Sequence, residues 1–490
     1  MTADRDTVEN AVQAAAALPS VGGCDDDDRL LSAQPLPEDE VIAAKIRALR
    51  EELSRIESVE SLGHYDAGLA LVREVHGEAD VLGFTPLTAE AAVREGSLLL
   101  AAGRPAQAVA DLEKALRLAI VADLPDVAAE ASVLQIFAVS EGLGRHGDAL
   151  LIAPYAEAFV IRSPGEGSKN LALFHNNLGS ANDLAGDDVV AGREYQAAID
   201  VLSADEGDDG DMLATIYHNL GGMYLDQGDI ESAATAFENA RRGFEVALGS
   251  HHPLVAHPLV GLGEVARERG DDRQARGAYE AAIKIMELGY GVDHVYLIDA
   301  LVGLGDVLAP SDPRAAERHY HRVLAICTHH DVVYPALGSA HEGLGRLALA
   351  RGAAGEALKR FERAVEIHAE TSETTGWRHA RASLLAGRAA SAAGDQARAA
   401  RWYEAVLASE PSPRSDRERA EAGRLLVSGL VDERAAVEVE VEVDAEAARI
   451  CELVRGVEEG LEVGDARERL AEARAQACDR PPVAEASISP

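Results

Sequence analysis

The stretch NLGGMYLDQGDIESA, residues 219–233, reads as two helices meeting at a turn. Small and apolar residues fall at offsets of three, four and seven on both sides of Gly228-Asp229, which is the spacing of amphipathic helices. Gly228 suits the left-handed position that ends a first helix, and Asp229 can cap the second by accepting from its free N–H groups. Gly221 and Ala233 lack bulk where the two helices press closest. Tyr224 and Phe237 are expected to fill the wider spaces above and below.

The pattern returns along the chain. Leu220, Gly221, Tyr224, Gly228, Ala233, Phe237 and Ala240 are followed by Leu262, Gly263, Ala266, Gly270, Ala275, Tyr279 and Ala282, and further copies start at Leu178-Gly179 and Leu344-Gly345. Turn glycines stand at Gly63, Gly103, Gly144, Gly186, Gly228, Gly270, Gly352 and Gly394, with gaps of 40, 41, 42, 42, 42, 82 and 42. The long gap holds a unit whose turn is Pro310-Ser311-Asp312-Pro313, which gives nine units. A lone helix pair cannot bury its apolar face, so such units must stack. The expected fold is all-α, with about nine to ten helix-turn-helix units.

This pattern resembles the tetratricopeptide repeat, TPR, and its 42-residue period with LGSHHP at Leu248–Pro253 is similar to the longer form found in kinesin light chains. The resemblance covers about residues 45–410 and implies a right-handed superhelical solenoid. It departs at Leu304-Gly305, where the turn is short and proline-bounded, and before residue 170, where the leucine-glycine pair is degraded. A bend is expected at either place. The lead-in, AVQAAAALPSVGGC followed by VIAAKIRALREEL and GHYDAGLAL, is similar to the region joining kinase domain and repeats in bacterial serine/threonine kinases with long C-terminal repeat arrays. The chain has no glycine-rich loop with a following valine, no HRD and no DFG. A kinase link would therefore be that of a regulatory or sensory region.

Four segments follow. Residues 1–40 read as an N-terminal helix, Asp6 to Ala17, and an acidic linker around Asp25–Asp28; residues 41–410 form the array. Residues 411–476 read as atypical capping helices interrupted by AVEVEVEVD, an acidic insertion whose strict alternation is also a strand signal. Residues 477–490 read as a disordered tail.

Composition narrows the function. Lys+Arg number 46 against 84 Asp+Glu, a formal charge of −38, which opposes sequence-independent attraction to nucleic acid or anionic lipid. Cys24, Cys327, Cys451 and Cys478 lie far apart without a CxxC pair, as in a reducing compartment, and give no metal framework. With no basic-then-apolar start and no membrane-length apolar run, a cytoplasmic protein is expected.

No catalytic constellation converges. SPGEGSKN, Ser163–Asn170, has Ser168 where a phosphate-binding loop needs glycine before its lysine. GLGEVA and GLGDVL fall within helices and lack the third glycine of a dinucleotide fingerprint. His251-His252 and His329-His330 lack a second cluster at ligand spacing and read as inter-repeat loop residues. No enzyme activity, cofactor or metal is expected, and the chain reads as an interaction scaffold.

Stacked helix pairs line an inner face with the first helix of each unit, and such faces hold peptides or protein segments. Positions flanking the leucine-glycine pair point there: Asn176, Asn177, His218, Asn219, Glu264, Asp306, Glu342, Arg346 and Arg388, joined by Arg381. In the kinesin-light-chain type the asparagine just before the leucine contacts the bound peptide's backbone, and Asn177 and Asn219 match it. Gly261, Gly303 and Gly343 stand there in later units. The alternative is that both amides satisfy backbone groups of a neighbouring helix. Arg346, Arg381 and Arg388 make the later end a candidate for an acidic partner segment.

Overall fold

The computed structural model describes residues 35–61, 65–163, 167–204, 210–330, 332–371, 376–409, 418–426, 428, 450, 452, 454–455 and 470–471. The N-terminal helix and acidic run, Gly63, the AVEVEVEVD insertion and the tail lie outside them. The chain divides into two compact units, Met1–His294 and Val295–Pro490. The described residues of the first unit form α1 (Glu40–Ser61), α2 (Tyr65–Leu82), α3 (Thr85–Ala101), α4 (Pro105–Val121), α5 (Pro125–Phe137), α6 (His146–Arg162), α7 (Gly167–Leu184), α8 (Asp188–Ala204), α9 (Gly210–Gln227), α10 (Ile230–Leu248), α11 (Ala256–Glu268) and α12 (Asp272–Gly289). Those of the second form α13 (Leu297–Leu308), α14 (Pro313–His330), α15 (Pro335–Ala350), α16 (Ala354–Glu370), α17 (Trp377–Ala392) and α18 (Gln396–Leu407). Residues 418–426 are also helical, and Ala420, Ala422 and Leu426 are buried in the same core as Leu384, Tyr403 and Leu407 of α17 and α18.

Each odd-numbered helix packs on the even-numbered one after it. The turns between them are built as the glycine-aspartate pairs require. Gly228 has φ +78°, where only glycine is unstrained, and Asp229 accepts from Ser232 N at 3.1 Å. The proline-bounded turn reaches the same end differently: the Leu308 carbonyl accepts from Asp312 N at 2.7 Å and Asp312 caps α14 by accepting from Ala315 N at 3.0 Å. One feature has no sequence signal, a π-helical turn over Ala138–Gly142 that extends α5. His329 and His330, read from sequence as loop residues, form the last turn of α14 instead, where the helix dipole favours basic groups.

The aromatic residues sit elsewhere than the spacing alone suggests. Phe237 does not fill space above or below Gly221 but lies directly on it: a Cβ at Gly221 would fall 2.8 Å from Phe237 Cδ1. The same holds for Gly179 and Tyr195, Gly263 and Tyr279, Gly305 and Tyr320, Gly345 and Phe361, and Gly387 and Tyr403. In the earlier pair α3 and α4, Leu112 takes the aromatic's place over Gly96. Two rings are pinned from a second side by the next repeat. Gly261 of α11 would meet Phe237 Cε1 at 2.5 Å, and Gly343 of α15 would meet Tyr320 Cε1 at 2.5 Å. The glycine before the leucine, seen from sequence only as a missing asparagine, is therefore where the previous repeat's ring enters.

First helices form the inner layer of each unit. α1 touches α3, α3 touches α5, and so on to α11 in the first unit; α13 touches α15 and α15 touches α17 in the second. Among the described residues no comparable contact joins consecutive even-numbered helices.

These contacts predict opposite signs for one substitution. Gly343→Ala should destabilise the second unit by about 1–3 kcal/mol, because Tyr320 is held between two glycines and cannot retreat. Gly277→Ala, on an exposed stretch of α12 with no neighbour in reach of the new methyl, should stabilise by up to about 1 kcal/mol. Chemical denaturation midpoints of the two variants check the pair.

Candidate functional site

The first helices carry polar side chains that bridge one repeat to the next. In the middle of the first unit the bridge is made of amides. Asn177 Nδ2 donates to the Val133 carbonyl of α5 at 3.1 Å, Asn176 Nδ2 donates to Asn177 Oδ1 at 3.1 Å, and Asn219 Nδ2 donates to Asn176 Oδ1 at 3.0 Å. Asn176 and Asn177 are buried, so their amides hold α5, α7 and α9 in register. Asn219 is half-buried, and among the described residues its Oδ1 has no partner.

His218 begins a ladder of rings. It lies 5.6 Å from Phe237 and 6.1 Å from His257, which lies 6.4 Å from Tyr290, itself stacked on His294 at 4.9 Å. His218 Nδ1 is buried without a hydrogen-bond partner among the described residues. Burial pushes the His218 imidazole down to about 4 and His257 down to about 3, the latter helped by neighbouring histidines. His252 is pushed by burial to about 4 while its ring accepts from Leu254 N and caps the short 3-10 turn Pro253–Val255. Glu264 lies half-buried on α11.

In the second unit four sequence-selected residues come together. Arg346 of α15 donates to Asp306 of α13 at 2.7 Å, and Tyr320 donates its hydroxyl to the same Asp306 oxygen at 2.6 Å. Glu342, fully buried, pairs with Arg381 of α17 at 2.9 Å and with Arg346 at 3.5 Å. His368 Nε2 stands 3.1 Å from its other oxygen and donates there. Burial alone would raise the Glu342 carboxyl; Arg381, the His368 bond and Arg346 outweigh it and hold the group below the usual carboxylate range. Arg381 also lies 4.9 Å from the Trp377 ring centre. Arg388 is exposed and donates to Glu421 at 2.9 Å, outside this cluster. Two guanidiniums thus meet two carboxylates, so Arg346 and Arg381 are already paired within the chain.

The first three repeats hold a cavity that sequence reasoning missed. It has a volume of about 280 Å³ and lies among α1, α3 and α5, with Arg50, Glu57, Glu90, Arg94 and Glu130 around Leu53, Val93 and Val127. Its signal was present, because Arg94 precedes Gly103 by the same nine residues that separate Asn219 from Gly228. The degraded leucine-glycine pair hid that register. Tyr320, His368 and Trp377 were also missed, the first two because they come from even-numbered helices. Among the described residues no group of His, Cys, Asp and Glu is placed to hold a metal ion, and no helix is long and apolar enough to cross a membrane.

The folded chain is an all-α repeat protein of stacked helix pairs. The tetratricopeptide repeat model matches residues 170–245, 212–288 and 254–329, so the repeats of that stretch are of this kind. No curated protein matches the sequence. Among solved structures, a Rap protein complexed with competence and sporulation factor is 12% identical, with 80% of this chain and 98% of that one covered at a TM-score of 0.50. BtubC (BKLC) from P. vanneervenii is 22% identical over 47% of this chain and 92% of its own, TM-score 0.39. A tetratricopeptide repeat protein from Parabacteroides merdae is 16% identical over 62% and 98%, TM-score 0.37. At 12% identity the likeness to the Rap protein is one of fold alone.

Two outcomes test the clusters. Glu342→Ala should cost about 1–3 kcal/mol, since it leaves the buried His368 N–H unpaired and takes the counter-charge from two half-buried guanidiniums, and adding Arg381→Met should recover part of the loss in a denaturation series. The ring ladder makes the first unit acid-sensitive. Unfolded histidine takes up a proton below about 6.5, whereas His218 and His257 resist until about 4 and about 3. The unfolded state then binds more protons, so stability is complete above about 6.5 and falls as the pH drops toward 4. Urea midpoints at neutral and mildly acid pH should diverge less in His218→Phe than in the unaltered protein.

Proposed function

We propose that this chain is a non-catalytic interaction scaffold that holds a peptide or protein segment along the inner layer of first helices. The observation that carries the reading is that consecutive odd-numbered helices touch one another while, among the described residues, even-numbered ones make no comparable contact, so half-buried polar groups on the odd helices line the tight side of each unit. A segment laid on the first unit meets Asn219 Oδ1, and one laid on the second meets the rim of Arg346, Arg381 and Trp377. The proposed recognition surface is thereby narrower than the sequence-selected set. Asn176 and Asn177 frame it from beneath, Asn219 offers the acceptor, and Glu342 fixes the two arginines.

Crosslinking mass spectrometry on a partner captured from native lysate should place contacts on α7, α9, α11, α13, α15 or α17. Asn219→Ala should weaken that partner by about three- to tenfold, the worth of one hydrogen bond, with the melting transition retained. Contacts confined to even-numbered helices together with an unchanged Asn219→Ala affinity would show the inner-layer reading to be wrong.

A further inference from the structure

In a chain of formal charge −38, α14 runs the other way. It carries Arg314, Arg318 and Arg322 and four histidines against one carboxylate, Glu317. That carboxylate does not serve its own helix, because it is tied to Arg351, the residue after α15, at 3.0 Å. Ala315, Ala316, Tyr320, Val323, Ile326 and Cys327 are buried and mark the face of α14 that packs inward. Arg314, Arg318 and His321 stand exposed on the other face, at offsets of four and three. Among the described residues neither Arg314 nor Arg318 makes a hydrogen bond or ion pair, and neither does the half-buried Arg360 of α16. By contrast Arg346, Arg351, Arg381, Arg388 and Arg398 of the same unit are all held by carboxylates. His341 of α15 joins the two helices, since α15 packs on both. Burial, then Arg360 and Arg363 of α16 and His321 of α14, push its imidazole down to about 4, and its Nδ1 is buried without a hydrogen-bond partner among the described residues. Arg363 is paired with Glu366 at 2.8 Å, whereas Arg360 is not paired.

We infer that the outer face of α14 and α16, formed by Arg314, Arg318, His321 and Arg360 with His341 between them, docks an acidic peptide segment of a partner protein. A guanidinium with no carboxylate of its own keeps its whole fork of donors for an incoming one, and carboxylate is the planar group that fork matches. The spacing suits an extended chain. Arg314 and Arg318, four helical residues apart, lie about 6 Å apart along the axis, close to the roughly 6.6 Å between alternate side chains of a strand. A segment with an acid at every second position therefore meets one cation after the next. Nucleic acid and anionic membrane are also negative, but each spreads its charge beyond one helix face, where the rest of a chain of charge −38 repels it. A peptide touches the basic patch alone. The acidic segment that the sequence suggested for Arg346, Arg381 and Arg388, which are paired within the chain, is thus assigned to the opposite layer. This surface belongs to the even-numbered helices and goes beyond the inner-layer reading.

The test uses the full chain and a dye-labelled peptide of alternating glutamate and serine, beside the same peptide with glutamine in place of glutamate, read by fluorescence anisotropy. Net charge opposes the glutamate peptide, so its binding has to come from a local patch. It should bind, with the glutamine peptide at least about tenfold weaker. Arg318→Gln combined with Arg360→Gln should weaken the glutamate peptide about tenfold, the worth of two charge-assisted hydrogen bonds shared with water, with helicity and melting unchanged. Arg401→Gln, which alters an exposed arginine of α18 outside this face, should leave it as it was. No binding by the glutamate peptide, or equal binding by the unaltered protein and the double variant, would overturn the inference. So would tighter binding, through the same arginines, of phosphatidylserine vesicles or a short DNA duplex. Asn219→Ala should not change the glutamate peptide's affinity, so this inference and the inner-layer reading can each fail without the other.

Discussion

Everything else in this molecule depends on an aromatic ring resting on a helix where a glycine has no side chain. Each ring comes from the even-numbered helix of a repeat and lands on the glycine of the leucine-glycine pair in its own odd-numbered helix. Any side chain there would separate the helices by the thickness of a methyl group, and interiors packed to crystal density do not absorb that. The contact explains why the chain tolerates glycine in mid-helix at a cost of about 1 kcal/mol apiece. It also fixes the distance between repeats wherever a second glycine, Gly261 or Gly343, admits the ring of the preceding unit. Stability in such an array is a sum of local terms, so a defect at one ring weakens its own repeat and the two interfaces beside it.

Once the rings hold the helix pairs, the odd-numbered helices are left close together, and polar side chains on them settle against one another before any ligand arrives. This is why the asparagines are internal. The amide of Asn177 reaches the carbonyl of Val133 one repeat earlier, and Asn219 reaches Asn176 in the same way. Removing either from water without these partners would cost more than the bonds return. Only the half-exposed end of the relay keeps an unclaimed acceptor.

The steric part of the structure is legible in the sequence because sterics repeat. Glycines at +φ turns, aspartate caps and leucine-glycine pairs must recur wherever helix pairs stack, and they stand out without knowledge of contacts. The depth at which Phe237 sits is not legible, because spacing reports which face a residue occupies and not what lies under it. Polar partnerships are harder still, since a hydrogen bond between repeats joins residues some forty positions apart. One of them is nevertheless written plainly. Asp306 and Arg346 each follow the glycine of their leucine-glycine pair, so stacking the repeats puts opposite charges in one column. The π-helical turn Ala138–Gly142 and the contribution of His368 leave no such trace, because each depends on a neighbour outside the repeat pattern.

Charge in the two units is organised differently, and this bears on how a scaffold distinguishes partners. In the second unit a buried carboxylate, Glu342, is bracketed by Arg346, Arg381 and His368, so the cluster is internally neutral and its desolvation is offset only while every member stays in place. Such a network contributes little net stability compared with an apolar replacement, but it permits one register of α13, α15 and α17 and penalises others. The α1, α3 and α5 cavity is ionic too, with Arg50 paired to Glu90 and Arg94 to Glu60 and Glu57, but these pairs lie at a partly exposed rim. A neutral, closed network sets geometry and exerts little field on whatever approaches. Geometry and field are both needed to choose a partner, since attraction alone would draw any basic segment to a chain of charge −38.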